Sequence, residues 1–594
     1  MNKQLTLILA LLLSFTLSAQ KESKDVTQFV SELDQKIPQL LNDFIVPGTA
    51  IAIIENGEII LQKGYGYSNI DKGTKVTNTT GFNIGSISKT IAAWGVMKLV
   101  QEGKIDLDAP AEKYLTRWHL PESEFDSEKV TIRRLLSHTA GLSLHGYPGW
   151  TPKDELPTIE ESLDGKNNGP GRVEIIMEPG TKWKYSGGGF SMLQLIIEEV
   201  TGEKFEDYLQ AHILNPLGMT SSSYTIDENI LKSSSQEHNN FGEVIDFELF
   251  TAQAAAGLHT NINDFTKFAL ASLYANENNN QQVLSTSYLK QMMEPAPASD
   301  GRYGLGYQVE TINGTSMTLA GHGGANSGWH AFLRVNPATN DGIIMITNGG
   351  AGHNIYRQVF CDWVYWKTGE SMGNRCNILP SISSKLKQLI DGEGVDKINS
   401  HYAALKKNEA EKYNFSEDQL NQLGYHYLGN DKVEYAMAIF KLNTELFPKS
   451  SNVYDSYGEA LLKHGDKERA IENYKKSVEL NPANEGGIKV LKELGINTDG
   501  LVKEIIVADH ILQSYVGKYE LAPEFIVTVI KDGSQMKAQA TGQGEFEIYP
   551  LSDSVFYLKV VEAQVTFNRN EEGEVVSLTL LQGGRETTGL KSKD

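Results

Sequence analysis

The sequence predicts an α+β domain in which an antiparallel sheet is flanked by helices, then an α-helical repeat segment, then a small antiparallel β module. Three observations carry this prediction. Apolar strand-like runs stand at both ends of the stretch from Val26 to Cys376, with helix-like stretches between them. Residues of matching type recur at a spacing of 34 between positions 424 and 482. From Leu512 onward apolar and polar residues alternate with the period of a strand that is buried on one face.

With 594 residues, the chain is several times longer than a typical domain of ~150 residues, so more than one folding unit is expected. Charged residues make up 22% and apolar residues 40%, which is the balance of a globular protein and not of a disordered one. Its 54 Lys and Arg against 75 Asp and Glu give a net charge of −21. An acidic chain repels phosphate backbones, and no Lys/Arg cluster offsets this, so nucleic acid is not an expected partner.

At the start, Lys3 precedes an apolar run from Leu5 to Leu17 and then Ser18-Ala19-Gln20. A short positive head, about a dozen apolar residues and a small residue at the boundary read as a secretory signal peptide, residues 1–19, cleaved after Ala19. The run is shorter than the ~20 residues that span a bilayer, and no later stretch is long enough, so the mature chain is expected to have no membrane span. The expected location is exported, periplasmic or extracellular. In such a compartment the two cysteines, Cys361 and Cys376, could be bonded or remain separate thiols, and both readings stay open. Neither has a His at metal-ligand spacing, so neither a metal nor a cofactor is expected.

In chain order, Thr49–Ile54 and Glu58–Lys63 are strand-like runs joined by Glu55-Asn56-Gly57, a hairpin signal. A helix is predicted from Ser86 to Gln101, ending near Gly103. Others are predicted from Phe190 to Val200 before Thr201-Gly202, and from Phe205 to Ile213 before Pro216. Strands return at Trp329–Val335 and Gly342–Thr347. Both chain ends of this block are therefore expected in one sheet, with the helices inserted between them.

Beyond Lys385 the composition turns helical. Gly424 and Gly458, Ala436 and Ala470, Phe440 and Tyr474, and Pro448 and Pro482 are paired at the 34-residue period. With small residues where helices cross and Pro ending the second helix, the pattern resembles tetratricopeptide repeats. Leu420, Leu423 and Tyr427, and then Tyr454, Tyr457 and Leu461, fall where such repeats bury side chains. Helices at 385–412 and 484–494 are expected to cap the two copies. After them, Phe525–Ile530, Gln535–Ala540, Val555–Val561, Ala563–Asn568 and Val575–Leu581 read as strands of a small barrel or curved sheet, with a turn at Asp532-Gly533. Its opening, Tyr515-Val516-Gly517-Lys518-Tyr519, resembles β modules appended to bacterial exported serine hydrolases.

The chemistry lies in Phe82-Asn83-Ile84-Gly85-Ser86-Ile87-Ser88-Lys89-Thr90. Ser-x-x-Lys puts a hydroxyl and an amine one turn apart on a helix. An amine buried among apolar groups loses its preference for the charged form and can accept the serine proton, which activates the serine as a nucleophile. The pattern alone carries little weight, since it also occurs at Ser18/Lys21, Ser287/Lys290, Ser384/Lys387 and Ser534/Lys537. Context selects Ser86: Gly85 allows close backbone approach, and the apolar run Ile91 to Met97 would bury the helix.

Taken with Leu135-Leu136-Ser137-His138-Thr139-Ala140-Gly141-Leu142, Glu178-Pro179-Gly180, Tyr185-Ser186-Gly187, Pro216-Leu217-Gly218-Met219 and Gly321-His322-Gly323-Gly324, the segment from Val46 to Gly350 resembles the penicillin-binding-protein-like serine hydrolases. It is most similar to the branch that includes class C β-lactamases, D,D-carboxypeptidases, D-aminopeptidases and related esterases. The resemblance implies Ser86 as the acylated nucleophile, Lys89 as its proton partner and Tyr185 as a phenol that relays protons, acting as a base if its pKa is lowered. It implies a substrate-binding strand with His322, Gly323, Gly324 and Ala325. His322 stands where β-lactamases carry Lys and would orient the substrate or its carboxylate. The backbone N–H groups of Ser86 and Ala325 would form the oxyanion hole. His138 belongs to a motif that is structural in this family. Gly187 replaces the usual Asn, and with His322 it argues against a dedicated β-lactamase or cell-wall carboxypeptidase.

The expected organisation is thus a signal peptide at 1–19, a serine hydrolase domain at 20–380, helical repeats at 381–500 and a β module at 501–594. The expected activity is cleavage of an amide or ester bond, in a D-residue peptide, a small ester or a β-lactam-like molecule, through a Ser86 acyl-enzyme. The alternative is a non-turnover protein that binds or senses peptidoglycan-like peptides. In both cases the partner at the cleft is a small molecule or peptide, and the repeats offer a surface for a protein partner.

Overall fold

The computed structural model describes residues 25–151, 154–166, 171–273, 283–498, 500–501, 505–523, 525–561 and 563–592. The leader expected at 1–19 lies outside them. The chain divides after Ile378 into two compact units.

In the first unit, β1 (Gly48–Glu55), β2 (Glu58–Asn69), β3 (Thr74–Lys75), β6 (Gln308–Thr311), β7 (Thr318–Ala325), β8 (His330–Asn336) and β9 (Asp341–Thr347) form a seven-stranded sheet in the order β3-β2-β1-β9-β8-β7-β6. The intervening β4 (Phe82–Asn83) and β5 (His259–Thr260) pair with each other outside it. All seven strands are antiparallel to their neighbours. β1 lies beside β9, with Thr49 opposite Thr347 and Ile54 opposite Gly342, so the two ends of the unit meet in the middle of the sheet.

The unbroken apolar runs of β1 and β9 follow from burial on both faces. Ala50, Ala52, Ile54, Ile344 and Ile346 face the inserted helices, while Ile51, Ile53, Ile343 and Met345 pack under α1 (Val26–Asp43) and the helix Gly352–Thr368. On the first face lies α2 (Ile87–Gln101), of which Ile87 to Met97 and Leu99 are buried. A helix that is apolar on nearly every side belongs inside a core, not on a surface. The helix expected at Phe190–Val200 begins earlier, at Gly187, because the Ser186 hydroxyl caps it by accepting from the Gly189 N–H. Cys361 and Cys376 form a disulfide that ties the helix Gly352–Thr368 to the segment after it.

In the second unit, helices Ile382–Glu393, Ile398–Asn408, Glu417–Gly429, Val433–Leu446, Ser451–His464, Lys467–Leu480 and Glu485–Glu493 precede a closed barrel. Its strands are β10 (Gly517–Ala522), β11 (Phe525–Asp532), β12 (Gln535–Ala540), β13 (Glu545–Pro550), β14 (Val555–Leu558), β15 (Ala563–Arg569), β16 (Val575–Gln582) and β17 (Arg585–Lys591), closed by β10 against β17. Closure removes the exposed edges a flat sheet of this length would carry. β10, β13 and β17 were not read from the sequence, where Gly, Pro and charged residues interrupt their alternation.

The small residues of the 34-residue pattern sit where helices touch. A Cβ on Gly424 would lie 2.4 Å from the Phe440 ring, and one on Gly458 would lie 3.0 Å from the Tyr474 ring. Leu420, Leu423, Tyr427, Tyr457 and Leu461 are buried as expected, but Tyr454 is not. Val453 fills the core beside it, and the Tyr454 hydroxyl donates outward to the Pro448 carbonyl.

These distances make the two glycines unequal. Gly424→Ala must displace an aromatic ring and is expected to destabilise the second unit by about 1–3 kcal/mol. Gly458→Ala meets a milder contact, which the ~1 kcal/mol helix-propensity advantage of Ala over Gly offsets. Urea midpoints followed by circular dichroism should fall for the first variant and stay near wild type for the second.

Candidate active site

Ser86 is the residue before α2, with helical backbone angles, and follows Gly85 at φ +51°. That turn lies against the end of β7 with no room for side chains. A Cβ on Gly85 would sit 2.7 Å from the Ala325 nitrogen, and one on Gly324 would sit 1.9 Å from the Ile84 carbonyl and 3.3 Å from the Ser86 nitrogen. The backbone N–H groups of Ser86 and Ala325 are thereby brought side by side. At Gly323, by contrast, a Cβ would meet nothing within 4 Å.

Lys89 is 2% exposed. Its Nζ donates to the Ala255 carbonyl at 2.7 Å and to Ser86 Oγ at 3.2 Å, and lies 4.9 Å from the centre of the Tyr185 ring. Burial without an acidic partner pushes the amine down to about 7, so at neutral pH a large share of it is uncharged. The Ala255 carbonyl belongs to the short helix Gln253–Ala256, and the Leu258 N–H donates to Ser88 Oγ at 3.0 Å, so this segment is fastened to the first turn of α2.

Tyr185 departs from the expectation of a phenol made acidic by a neighbouring ammonium. Burial pushes it above its ordinary value, and the nearby Ser86 hydroxyl only partly offsets this. The cause is consistent with Lys89, whose own charge is disfavoured. The Tyr185 hydroxyl is buried and makes no hydrogen bond of ordinary geometry among the described residues. It stands as a neutral donor beside the serine, not as a phenolate.

His322 also departs from expectation. It is 1% exposed, and burial, reinforced by Lys89, lowers it to about 3. Its Nδ1 lies 2.5 Å from the Gly323 carbonyl, which can only accept, so Nδ1 carries the proton and Nε2 accepts from the Tyr303 hydroxyl at 3.0 Å. Both ring nitrogens are occupied and the ring is neutral. In this state it lacks the positive charge of a lysine ammonium.

His138, at φ +58°, accepts the Ser186 N–H at Nδ1 (3.1 Å), which fixes the turn carrying Tyr185. Its ring centre lies 4.2 Å from that of Tyr185 and 4.7 Å from that of Tyr303. Burial, with Lys89 and the other histidines, keeps it far below its ordinary range.

Three contributors were missed in the sequence. Asn83 accepts the Gly85 N–H at 2.7 Å and the Asn326 side-chain amide at 2.7 Å, and donates to the Ala256 carbonyl at 3.0 Å, so one amide braces the serine turn from three directions. Tyr303 holds His322. The Ala255 carbonyl holds Lys89 and, being backbone, leaves no mark in the residue pattern. Among the described residues no group of His, Cys, Asp and Glu could hold a metal ion.

A beta-lactamase family model matches residues 33–357, the stretch that builds this sheet and cleft. The chain belongs to the beta-lactamase family. A domain of unknown function, DUF3471, matches residues 502–589 and so covers the barrel. Protein flp of Staphylococcus aureus (strain MRSA252) is 26% identical over 331 residues, covering 53% of this chain and 62% of that protein. The Bacillus subtilis (strain 168) protein PbpX is 29% identical over 298 residues, covering 49% of this chain and 69% of that protein. Among solved structures, the octameric penicillin-binding protein homologue from Pyrococcus abyssi is 19% identical, with a TM-score of 0.47 over 94% of this chain and 99% of that one. As a member of the beta-lactamase family, the chain is related to serine hydrolases.

A buried amine near 7 makes stability depend on pH. Between pH 7 and about 10.5 the unfolded chain holds a proton on Lys89 that the native state has lost, so stability rises with pH across this window by up to ~1.4 kcal/mol per unit. In Lys89→Met that contribution is absent. Urea midpoints at pH 7 and pH 10 should therefore differ less in the variant than in wild type.

Proposed function

We propose that the chain is a serine acyl hydrolase that opens an ester or amide through a covalent Ser86 intermediate. The observation that carries this reading is the buried Lys89 amine, pushed down to about 7, 3.2 Å from Ser86 Oγ. In this reading Lys89 accepts the Ser86 proton as Oγ attacks the carbonyl carbon, and the N–H groups of Ser86 and Ala325 receive the developing oxyanion. The Tyr185 hydroxyl donates a proton to the leaving group and regains one from Lys89, so no phenolate is needed. Water then attacks the acyl group, gives its proton to Lys89, and the amine returns it to Ser86.

The neutral, fully engaged His322 and the small Gly187 favour substrates that do not depend on a fixed cation for a carboxylate. Small esters or amides fit this better than β-lactams or carboxylate-ended peptides, so β-lactam turnover is expected to be slow or absent. We read residues 1–19 as an export leader and the two helical pairs as tetratricopeptide-like units that present a surface to a peptide or protein.

The test uses wild type and Ser86→Ala with a fluorophosphonate, a penicillin, p-nitrophenyl esters and D-alanyl peptides, following intact mass and product together. A Ser86-dependent adduct with turnover of the esters is the expected result. Acylation without turnover points instead to a sensor, and a folded protein that reacts with nothing ends the assignment. Gly324→Ala puts a methyl group against the Ile84 carbonyl and spreads the two N–H donors. It should slow acylation by about 10²-fold or more, as loss of an oxyanion donor does.

A further inference from the structure

We propose that Glu237 and Glu248 form a two-carboxyl clamp that holds the turn after Ala325, and with it the second N–H of the oxyanion hole, in its working position. This rests on the hydrolase reading above and adds two positioning residues to it. Residues 326–329 join β7 to β8, closed by the Asn326 N–H donating to the Trp329 carbonyl at 2.9 Å. Glu248 accepts the Ser327 N–H at 3.1 Å and the Ser327 hydroxyl at 2.6 Å. Glu237, 2% exposed, accepts the Gly328 N–H at 2.8 Å. Glycines make room for both acids: a Cβ on Gly328 would lie 2.3 Å from Glu237 Cγ, and one on Gly149 would lie 2.5 Å from a Glu248 carboxylate oxygen. The same turn reaches the nucleophile, since the Asn326 side chain donates to Asn83, the acceptor of the Gly85 N–H.

The two carboxyl groups accept from adjacent residues of one short turn, Ser327 and Gly328, and two ionised carboxylates so placed repel each other. Burial first, then the Glu248 charge, pushes the Glu237 carboxyl up to about 9, with the Gly328 N–H and the Trp329 indole easing it in part. At neutral pH Glu237 keeps its proton, and above about 9 its ionised carboxylate loosens the grip on the turn. The other titratable groups around Glu237 are few. On its own segment, His238 is kept uncharged by burial. On the segment of Glu248, Asp246 is exposed. Lys72, Lys75, Lys232 and Glu228 line the groove of about 880 Å³ that Glu237 also borders. The turn itself contributes no titratable side chain.

The experiment measures the rate of fluorophosphonate labelling of Ser86 between pH 6 and 10.5, each variant scaled to its own maximum, with urea midpoints alongside. Wild type should rise through about 7 as Lys89 loses its proton and fall near 9 as Glu237 does. Glu237→Gln keeps an acceptor for Gly328 but cannot ionise, and Glu248→Gln removes the opposing charge. Both should move the alkaline limb up by about one pH unit or more, leaving the limb near 7 in place. A role in stability alone would change the urea midpoint and leave the alkaline limb where it was, which overturns the clamp while keeping the hydrolase. No labelling of wild type at any pH overturns the hydrolase reading first, and the clamp's part in catalysis with it.

Discussion

A lysine shut away from water is the constraint around which the first unit is arranged. An ammonium at that position would require a carboxylate or several oxygen ligands, and the chain supplies one carbonyl, from Ala255, and one hydroxyl, from Ser86. The core tolerates the residue because it need not be charged there. Much else follows from keeping it so. α2 is apolar on nearly all sides, the helix Gln253–Ala256 closes over it, and aromatic rings from Tyr185 and Phe190 cover the amine. Burying an amine in this way costs some stability, a trade common where function needs an unfavourable group.

The same dryness sets the character of the neighbouring groups. His138 and His322 are pushed down and Tyr185 and Tyr303 up, all chiefly by burial, so each is pressed toward its neutral form. The residues around Ser86 thus form a network of neutral donors and acceptors. In a region that water screens poorly, such groups interact more strongly with a developing charge than they would in solvent.

Much of the frame could be read from the residues. Strands buried on both faces leave continuous apolar runs, so β1 and β9 were visible, and Ser-x-x-Lys ahead of an apolar helix marked Ser86 and Lys89. The ordered motifs carried Tyr185 and His322 to the same place. Their ionisation was not legible, because it depends on which atoms surround a side chain after folding: His322 looks like a flexible turn residue among glycines until Tyr303 and the Gly323 carbonyl occupy both its nitrogens. Asn83, Glu237 and Glu248 escaped notice for a related reason, since each acts on backbone far away in sequence. Tyr454 shows the limit of a repeat pattern, for one residue of offset exchanged it with Val453 in the core.

The pairing of β1 with β9 has a consequence for how the molecule comes into being. Thr49 reaches across to the Ile346 carbonyl over a sequence separation of 297 residues, so the sheet cannot be completed until nearly the whole unit has been made. Loops of this length close slowly, because ordering must precede the contacts that reward it. The Ser86 turn leans on β7, so a growing polypeptide carries its serine and lysine without the second N–H beside them until Ala325 has been added. The arrangement around Ser86 is therefore completed only with the strands that finish the sheet, and it is absent from a chain that is still unfolded.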